Sequence, residues 1–369
     1  MKIALVCDWL TNVGGAEKVL LRLHQMYPEA PIYTSKYDAK GIDWFLDAEV
    51  KTGWLQVFPT FMRRFLGPLR QRWFSHLDLS EYDLVISVTG AEAKAVKTVN
   101  AQTGRRAVHI SYCHVPTQYY WQMYDDYVRN PGFGVLNPLV RACFKTLVKG
   151  QRKKDFEAAQ RVDEFVTISE YARELIKKYY KREAKVVHPP VEIKDFKPVE
   201  KPVENFYVVT SRQVTWKRLD LAVKACVGLK RELLVIGEGP EHKRLVEMAD
   251  DSPLVRFLPM MGAKELAEYL AQARGYLFPS LEPFGIAPVE ALAAGCPVIA
   301  FHEGGALDYV QDGKNGVLFE KQTVKSLEEA MVRFEGAQFD RGLVAKTARK
   351  FAAERFEKEI REVVNEARK

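Results

Sequence analysis

At 369 residues and 47% hydrophobic content, the chain is long enough for two α/β domains with full cores. Its net charge of +7 is a modest basic excess without a recognisable nucleic-acid module, so nucleic acid is not an expected partner. No run reaches the roughly 18 apolar residues of a membrane helix, and the five cysteines show neither C-x-x-C nor zinc spacing, which argues against a membrane span, a disulfide framework and a zinc site.

Lys2 to Cys7 has the pattern of a buried strand. It is too short for a signal-peptide core and ends at Asp8. With the scattered cysteines, this leads to the expectation of a reduced, cytoplasmic protein. The next residues, Asp8 to Gly15, form a glycine turn before a helix expected over Ala16 to Leu23. Gly14 and Gly15 let backbone approach a ligand or take positive φ. The G-x-G-x-x-G spacing of a dinucleotide site is absent, so a ligand turn and a structural turn both remain open.

Residues 51–75 carry five cations (Lys51, Arg63, Arg64, Arg70, Arg72) and no acid, among Trp54, Phe58, Phe61, Phe65, Trp73 and other apolar residues. Residues 141–154 carry six cations, again with no acid. Each is a candidate for the surface of an anionic membrane, which would put the protein at the inner face of the cell membrane. The alternative is a solvated helix face. Asp83 to Val88 reads as a strand. Alternation over Val108 to Tyr112 reads as another, which sets His114 at its carboxyl edge, as a ligand residue or a hydrogen-bonded structural one. A helix over Arg152 to Asp163, a strand over Phe165 to Ser169 and a helix over Glu170 to Tyr180 follow. Pro189, Pro190 and the polar run Glu192 to Glu204 read as a linker. The first domain is therefore set at 1–195 and the second at 205–350.

The second half restarts the alternation at Phe206 to Ser211. Arg212 and Lys217, five apart on the next loop, can grip a diphosphate or stand as ordinary surface cations. Strands are expected over Leu233 to Gly237, Val255 to Gly262, Gly275 to Phe278, Cys296 to Ala300 and Gly316 to Phe319. Between Gly275–Phe278 and Cys296–Ala300 lies the most informative stretch, Ser280 to Gly295. It offers Glu282 on a loop and Glu290 in the first turn of a short helix, with Pro288 at the first helical position and Gly295 as a left-handed cap. On one helix, carboxylates eight apart would stand about 12 Å apart. A loop between them lets both meet one long ligand such as a nucleotide-sugar, at ribose and sugar hydroxyls. Two ordinary surface glutamates are the alternative. The chain ends in an amphipathic helix over 351–369 that presents Phe356, Ile360, Val363 and Val364 on one face.

Several of these strings together resemble retaining glycosyltransferases of family 4, the string around His114 especially its mannosyltransferase-like members. The strings are the E-P-F-G core with P-x-E-A-L-A and G-x-P-V-I-A after it, the Arg212…Lys217-Arg218-x-Asp220-Leu221-Ala222 segment, the Y-x-H-x-P-x-x-Y-x-W string around His114, and the Gly14-Gly15 turn. Gln118 stands where the family often has arginine, and Ser211 where it usually has glycine. The resemblance implies an α/β GT-B fold, two Rossmann-like domains facing each other across a cleft, with the terminal helix laid back on the first. It implies a metal-independent hexosyltransferase with no cofactor, using an NDP-sugar of GDP or UDP type and a glycan or lipid-linked acceptor. Arg212 and Lys217 would hold the leaving phosphates, Glu290 the ribose, Glu282 and His114 the sugar. Met260 would face the nucleobase, Phe284, Gly285 and Ile286 would line the donor, and Gly14 and Gly15 would lie near the phosphates and acceptor. An NDP-sugar epimerase or hydrolase of the same fold, or a non-catalytic nucleotide-sugar or membrane-surface binding protein, are the rival readings.

Overall fold

The computed structural model describes residues 1–129, 134, 137–198 and 205–369; the side chains of residues 63–65 are outside that description. The chain forms two compact units, Met1–Pro189 with Phe356–Lys369, and Pro190–Arg355. The change of unit falls at the two prolines, just before the polar run in which the sequence sets it. Residues 199–204 of that run lie outside the described residues.

The first unit holds seven strands: β1 Ile3–Cys7, β2 Ile32–Thr34, β3 Val50–Lys51, β4 Leu84–Thr89, β5 Val108–Cys113, β6 Glu164–Thr167 and β7 Lys185–Val186. They pair in the order β3-β2-β1-β4-β5-β6-β7, with every pairing parallel. The order reverses between β1 and β4, and ligands of doubly wound sheets bind outside the carboxyl ends of the strands at such a point. All of β4 is buried and all of β5 except Val108. The alternation read in β5 is thus not a wet and a dry face. Helices cover both sides, and the polar members find partners inside, as His109 Nε2 does with Ser87 Oγ at 2.9 Å.

Helix Glu170–Tyr180 starts where Ser169 Oγ accepts from Ala172 N and ends on Lys181 at φ 56°. The helix expected from Arg152 begins at Asn137 and runs to Gln160, so the basic run 141–154 lies within it. In the 51–75 run, Leu55 and Phe74 are core residues. Arg70 is 3% exposed, with its Nε 2.9 Å from Glu92 Oε2, so it is a buried ion-pair partner and not a surface cation. Arg63 and Arg64 lie, by their side chains, outside the described residues.

The second unit has β8 Phe206–Thr210, β9 Glu232–Ile236, β10 Val255–Leu258, β11 Gly275–Phe278, β12 Val298–Phe301 and β13 Gly316–Phe319. Their order is β10-β9-β8-β11-β12-β13, again all parallel, with the reversal between β8 and β11. Val209, Leu221, Val235, Leu277, Ile299, Met331 and Phe334 fill its core. The last helix, Ala353–Ala367, buries Phe356, Ile360, Val363 and Val364. Within the first unit, the Phe356 ring meets Tyr112 edge-on at 5.8 Å and Arg22 Nη1 lies 3.1 Å from Glu357 Oε1. No helix among the described residues is long and apolar enough to cross a membrane.

Candidate active site

The loops leaving β8 and β11 carry the predicted cations and the first predicted carboxylate to the reversal point of the second unit. After β8 the chain passes Arg212 and makes one 3-10 turn, Thr215–Lys217. It then enters helix Leu219–Leu229 through Arg218, which sits in the left-handed region at φ 53°. After β11 it passes Pro279 and Ser280 to Glu282. Lys217 Nζ lies 2.5 Å from Glu282 Oε2, and Ser280 Oγ donates to Glu282 Oε1 at 2.8 Å. The two charged side chains keep 21% and 19% of their exposure. The carboxylate is thus oriented through both oxygens, and the opposite charges meet in largely buried surroundings. Arg212 places its guanidinium 5.7 Å from the centre of the Trp216 ring.

The helix carrying Glu290 is Ile286–Ala293, so Pro288 is its third residue and not its first, and Glu290 lies in the second turn. The reason is Gly285. At φ 90° it turns the chain into the helix directly after Phe284, and a Cβ there would sit 2.6 Å from Phe278 Cζ. Pro288 is tolerated because the first four helical N–H groups have no intrahelical partner. Glu290 is 8% exposed. The Phe284 ring packs against Tyr309 and Phe351 at 5.4 and 5.7 Å, so only backbone at this position is left for a ligand. Ile286 is partly exposed, and Met260, on the loop after β10, is 57% exposed. The Gly305 amide is not open to a ligand, since it donates to Glu282 O at 2.8 Å. The Gly304–Gly305 turn instead backs the glutamate loop, with a Cβ on Gly305 falling 2.3 Å from Pro283 O.

Gly14, Gly15 and His114 belong to the first unit. Gly14 is extended at φ −164° and caps helix Gly15–Met26, so it is not needed for positive φ. A Cβ there would meet only the mobile end of the Glu17 side chain, its Oε2 at 2.7 Å. His114 follows β5, its N–H donating to Thr89 O at 2.8 Å. Its Nε2 is buried without a hydrogen-bond partner, and burial pushes the imidazole pKa down to about 4. It is therefore a neutral ring with an unused polar atom.

The sequence reading missed Asp8. Its carboxylate sits at the reversal point of the first sheet and accepts from the N–H groups of Gly90, Ala91 and Ala93 at 2.9, 3.0 and 2.8 Å, and from Thr89 Oγ. Amides that could hold a phosphate there are spent on an internal anion, whereas the second unit sets Lys217 and Arg212 at the same topological place. The only advance signal was an acid directly after the first strand. Ser280 and Trp216 were missed as well. Asp125 and Asp126 lie in helix Tyr124–Arg129, and no group of three or more His, Cys, Asp or Glu among the described residues could hold a metal ion.

Residues 191–351 match the family model described as glycosyl transferases group 1. The alpha-1,3/1,6-mannosyltransferase alg2 of Schizosaccharomyces pombe is 24% identical over 98% of this chain and 80% of its own length. The GDP-mannose-dependent alpha-(1-6)-phosphatidylinositol monomannoside mannosyltransferase of Mycolicibacterium smegmatis is 32% identical over 34% of this chain, and the match spans 37% of that protein. The Anabaena HepE crystal structure in complex with UDP superposes with a TM-score of 0.73 at 20% identity, covering 99% of this chain and 100% of that one. That likeness makes the fold GT-B.

Proposed function

Through residues 191–351 this chain belongs to the glycosyl transferases group 1 family, and from that premise we propose that it moves a hexose from a nucleoside diphosphate sugar to an acceptor hydroxyl with retention of the anomeric configuration. The observation that carries the proposal is the Lys217–Glu282 pair at the reversal point of the second sheet, with Arg212 on the same loop. A departing diphosphate develops charge that needs fixed positive partners. Arg212 and Lys217 supply them, without a metal ion. Glu282, held by Ser280, receives a hydroxyl of the transferred sugar, and Glu290 receives the ribose. Backbone at Phe284, Gly285 and Ile286 lines the donor, and Met260 borders the nucleobase. On the first unit, the neutral His114 accepts from or donates to a sugar hydroxyl, and the Gly14–Gly15 turn serves phosphates and acceptor.

The acceptor hydroxyl attacks on the face that the diphosphate leaves, and a diphosphate oxygen takes its proton. The donor is of GDP or UDP type, with mannose favoured by the relatives' printed activities, and the acceptor is a glycan or a lipid-linked sugar. An assay of nucleoside diphosphate release from GDP-mannose and UDP-glucose, with the product anomer read by NMR, tests this. Release that requires an acceptor, survives chelation and gives the donor's anomer is expected. Isomerised donor without transfer would favour an epimerase instead.

A further inference from the structure

Residues 211–218, the loop after β8, carry three cations, and each is held differently. Lys217 meets Glu282. Arg218 forks onto Asp220, with Nε 3.1 Å from Oδ1 and Nη2 3.4 Å from Oδ2. Arg212 is exposed, and among the described residues no carboxylate pairs with it. Its partner is the Trp216 ring, over which the guanidinium carbon stands at 5.7 Å. Two buried residues between them hold the loop in shape. Gln213, fully buried, donates from its backbone N to Glu238 O at 2.7 Å and from Nε2 to Gly237 O at 2.5 Å, and Val214 is buried beside it. Trp216 itself is 51% exposed, so it is not there to fill the core.

We propose that Trp216 is the positioning residue for Arg212, and through it a determinant of diphosphate affinity. The inference rests on the donor-site reading above. A carboxylate and an aromatic face hold an arginine in opposite ways. A carboxylate takes the edge of the guanidinium and cancels its charge, as Asp220 does with Arg218. An aromatic face attracts the cation through the ring quadrupole and leaves its N–H donors open. Arg212 thus keeps an uncancelled charge and a free fork for a diphosphate, while the ring restricts its long side chain before the ligand arrives. Restriction in advance lowers the ordering cost of binding. Lys217 is the opposite case, since its ammonium must be shared with Glu282. Of the two cations, Arg212 is the one ready to meet a diphosphate first, and Trp216 is what makes it ready.

GDP and UDP are titrated by calorimetry into the full-chain wild type, Trp216→Ala, Trp216→Phe, Arg212→Ala and Trp216→Ala/Arg212→Ala. Trp216→Ala should weaken the nucleotide that the wild type binds about two- to fivefold, the worth of one exposed cation–π pair. Trp216→Phe should recover part of that loss. With Arg212 removed, Trp216→Ala should weaken binding no further. A second reading needs no ligand. The Arg212 δ-methylene protons, assigned by their loss from the NMR spectrum of Arg212→Ala, should lie upfield through the indole ring current and move to the ordinary arginine position in Trp216→Ala. Both substituted side chains are exposed, so unchanged melting curves without nucleotide verify folding. Equal affinity of wild type and Trp216→Ala, the same loss with and without Arg212, or unmoved δ-methylene signals would overturn the role of Trp216 and leave the diphosphate site standing. No binding of either nucleotide by the wild type would remove the diphosphate site, and the role with it.

Discussion

Lys217 and Glu282 neutralise each other across 2.5 Å in the second unit. In the proposed role of Lys217 at the leaving phosphates, the carboxylate bound to it competes with the phosphate. Glu282→Gln should therefore keep or tighten nucleoside diphosphate binding while lowering sugar transfer about a hundredfold. Calorimetry with the nucleotide and a transfer assay on one preparation check this. Weaker nucleotide binding in the variant would show that Glu282 orients Lys217 rather than competing for its ligand.

The glutamate loop leans on a turn without side chains. A methyl on Gly305 would fall 2.3 Å from Pro283 O and 2.4 Å from Phe284 Cα. Gly305→Ala should cost about 2–4 kcal/mol of stability and displace the Glu282 loop. Lower melting temperature together with lost transfer is expected, whereas Gly313→Ala, at φ 73° with nothing near its missing Cβ, should be strained but leave the loop in place.

Two buried imidazoles give the first unit an acid sensitivity. Burial lowers both His109 and His114 from 6.5 to about 4. A histidine held neutral in the fold binds its proton more readily once unfolded. Stability is therefore whole above pH 6.5, falls as the pH drops through the window down to about 4, and levels off below it. For His109, 1% exposed, the full loss is roughly 3 kcal/mol. Denaturation curves at pH 7 and pH 4.5 should differ less for His109→Gln than for the wild type, and nitrogen-15 NMR should find the His109 ring neutral at pH 5.

The Lys94–Asp155 pair is 1% and 0% exposed, with the nitrogen 2.6 Å from the oxygen. Removing one member leaves a buried charge. Lys94→Met should cost about 3–5 kcal/mol, and Lys94→Met/Asp155→Leu less than the sum of the two single changes. Urea denaturation of the four proteins measures the coupling. Additive losses would mean that the remaining partners of Asp155, Thr117 and Tyr180 among them, compensate fully.

What was legible in the sequence followed strong local signals. Helices Glu170–Tyr180 and Leu219–Leu229 and strands Gly275–Phe278 and Gly316–Phe319 have the predicted bounds, because a capping serine, left-handed stops and short apolar runs mark their ends. The apolar stripe of the terminal helix was readable from spacing alone. Glu282 and Lys217 were each readable as candidates, but their contact was not, since it joins loops 65 residues apart. Non-local chemistry hid the rest. Arg70 looked like a surface cation because its partner Glu92 lies 22 residues on. Asp8 looked like a loop acid because its donors are backbone amides after β4. Strands β2 and β3, three and two residues long, carry no pattern of their own.

The most direct test of the donor site is a thermal-shift panel with GDP, UDP, ADP and dTDP on the wild type and Lys217→Ala. A nucleotide at a hundred times its dissociation constant adds about 2.7 kcal/mol to the folded state. One nucleotide should raise the melting temperature of the wild type and leave Lys217→Ala unmoved. No shift with any nucleotide, or the same shift in both proteins, would contradict a diphosphate site built on Lys217.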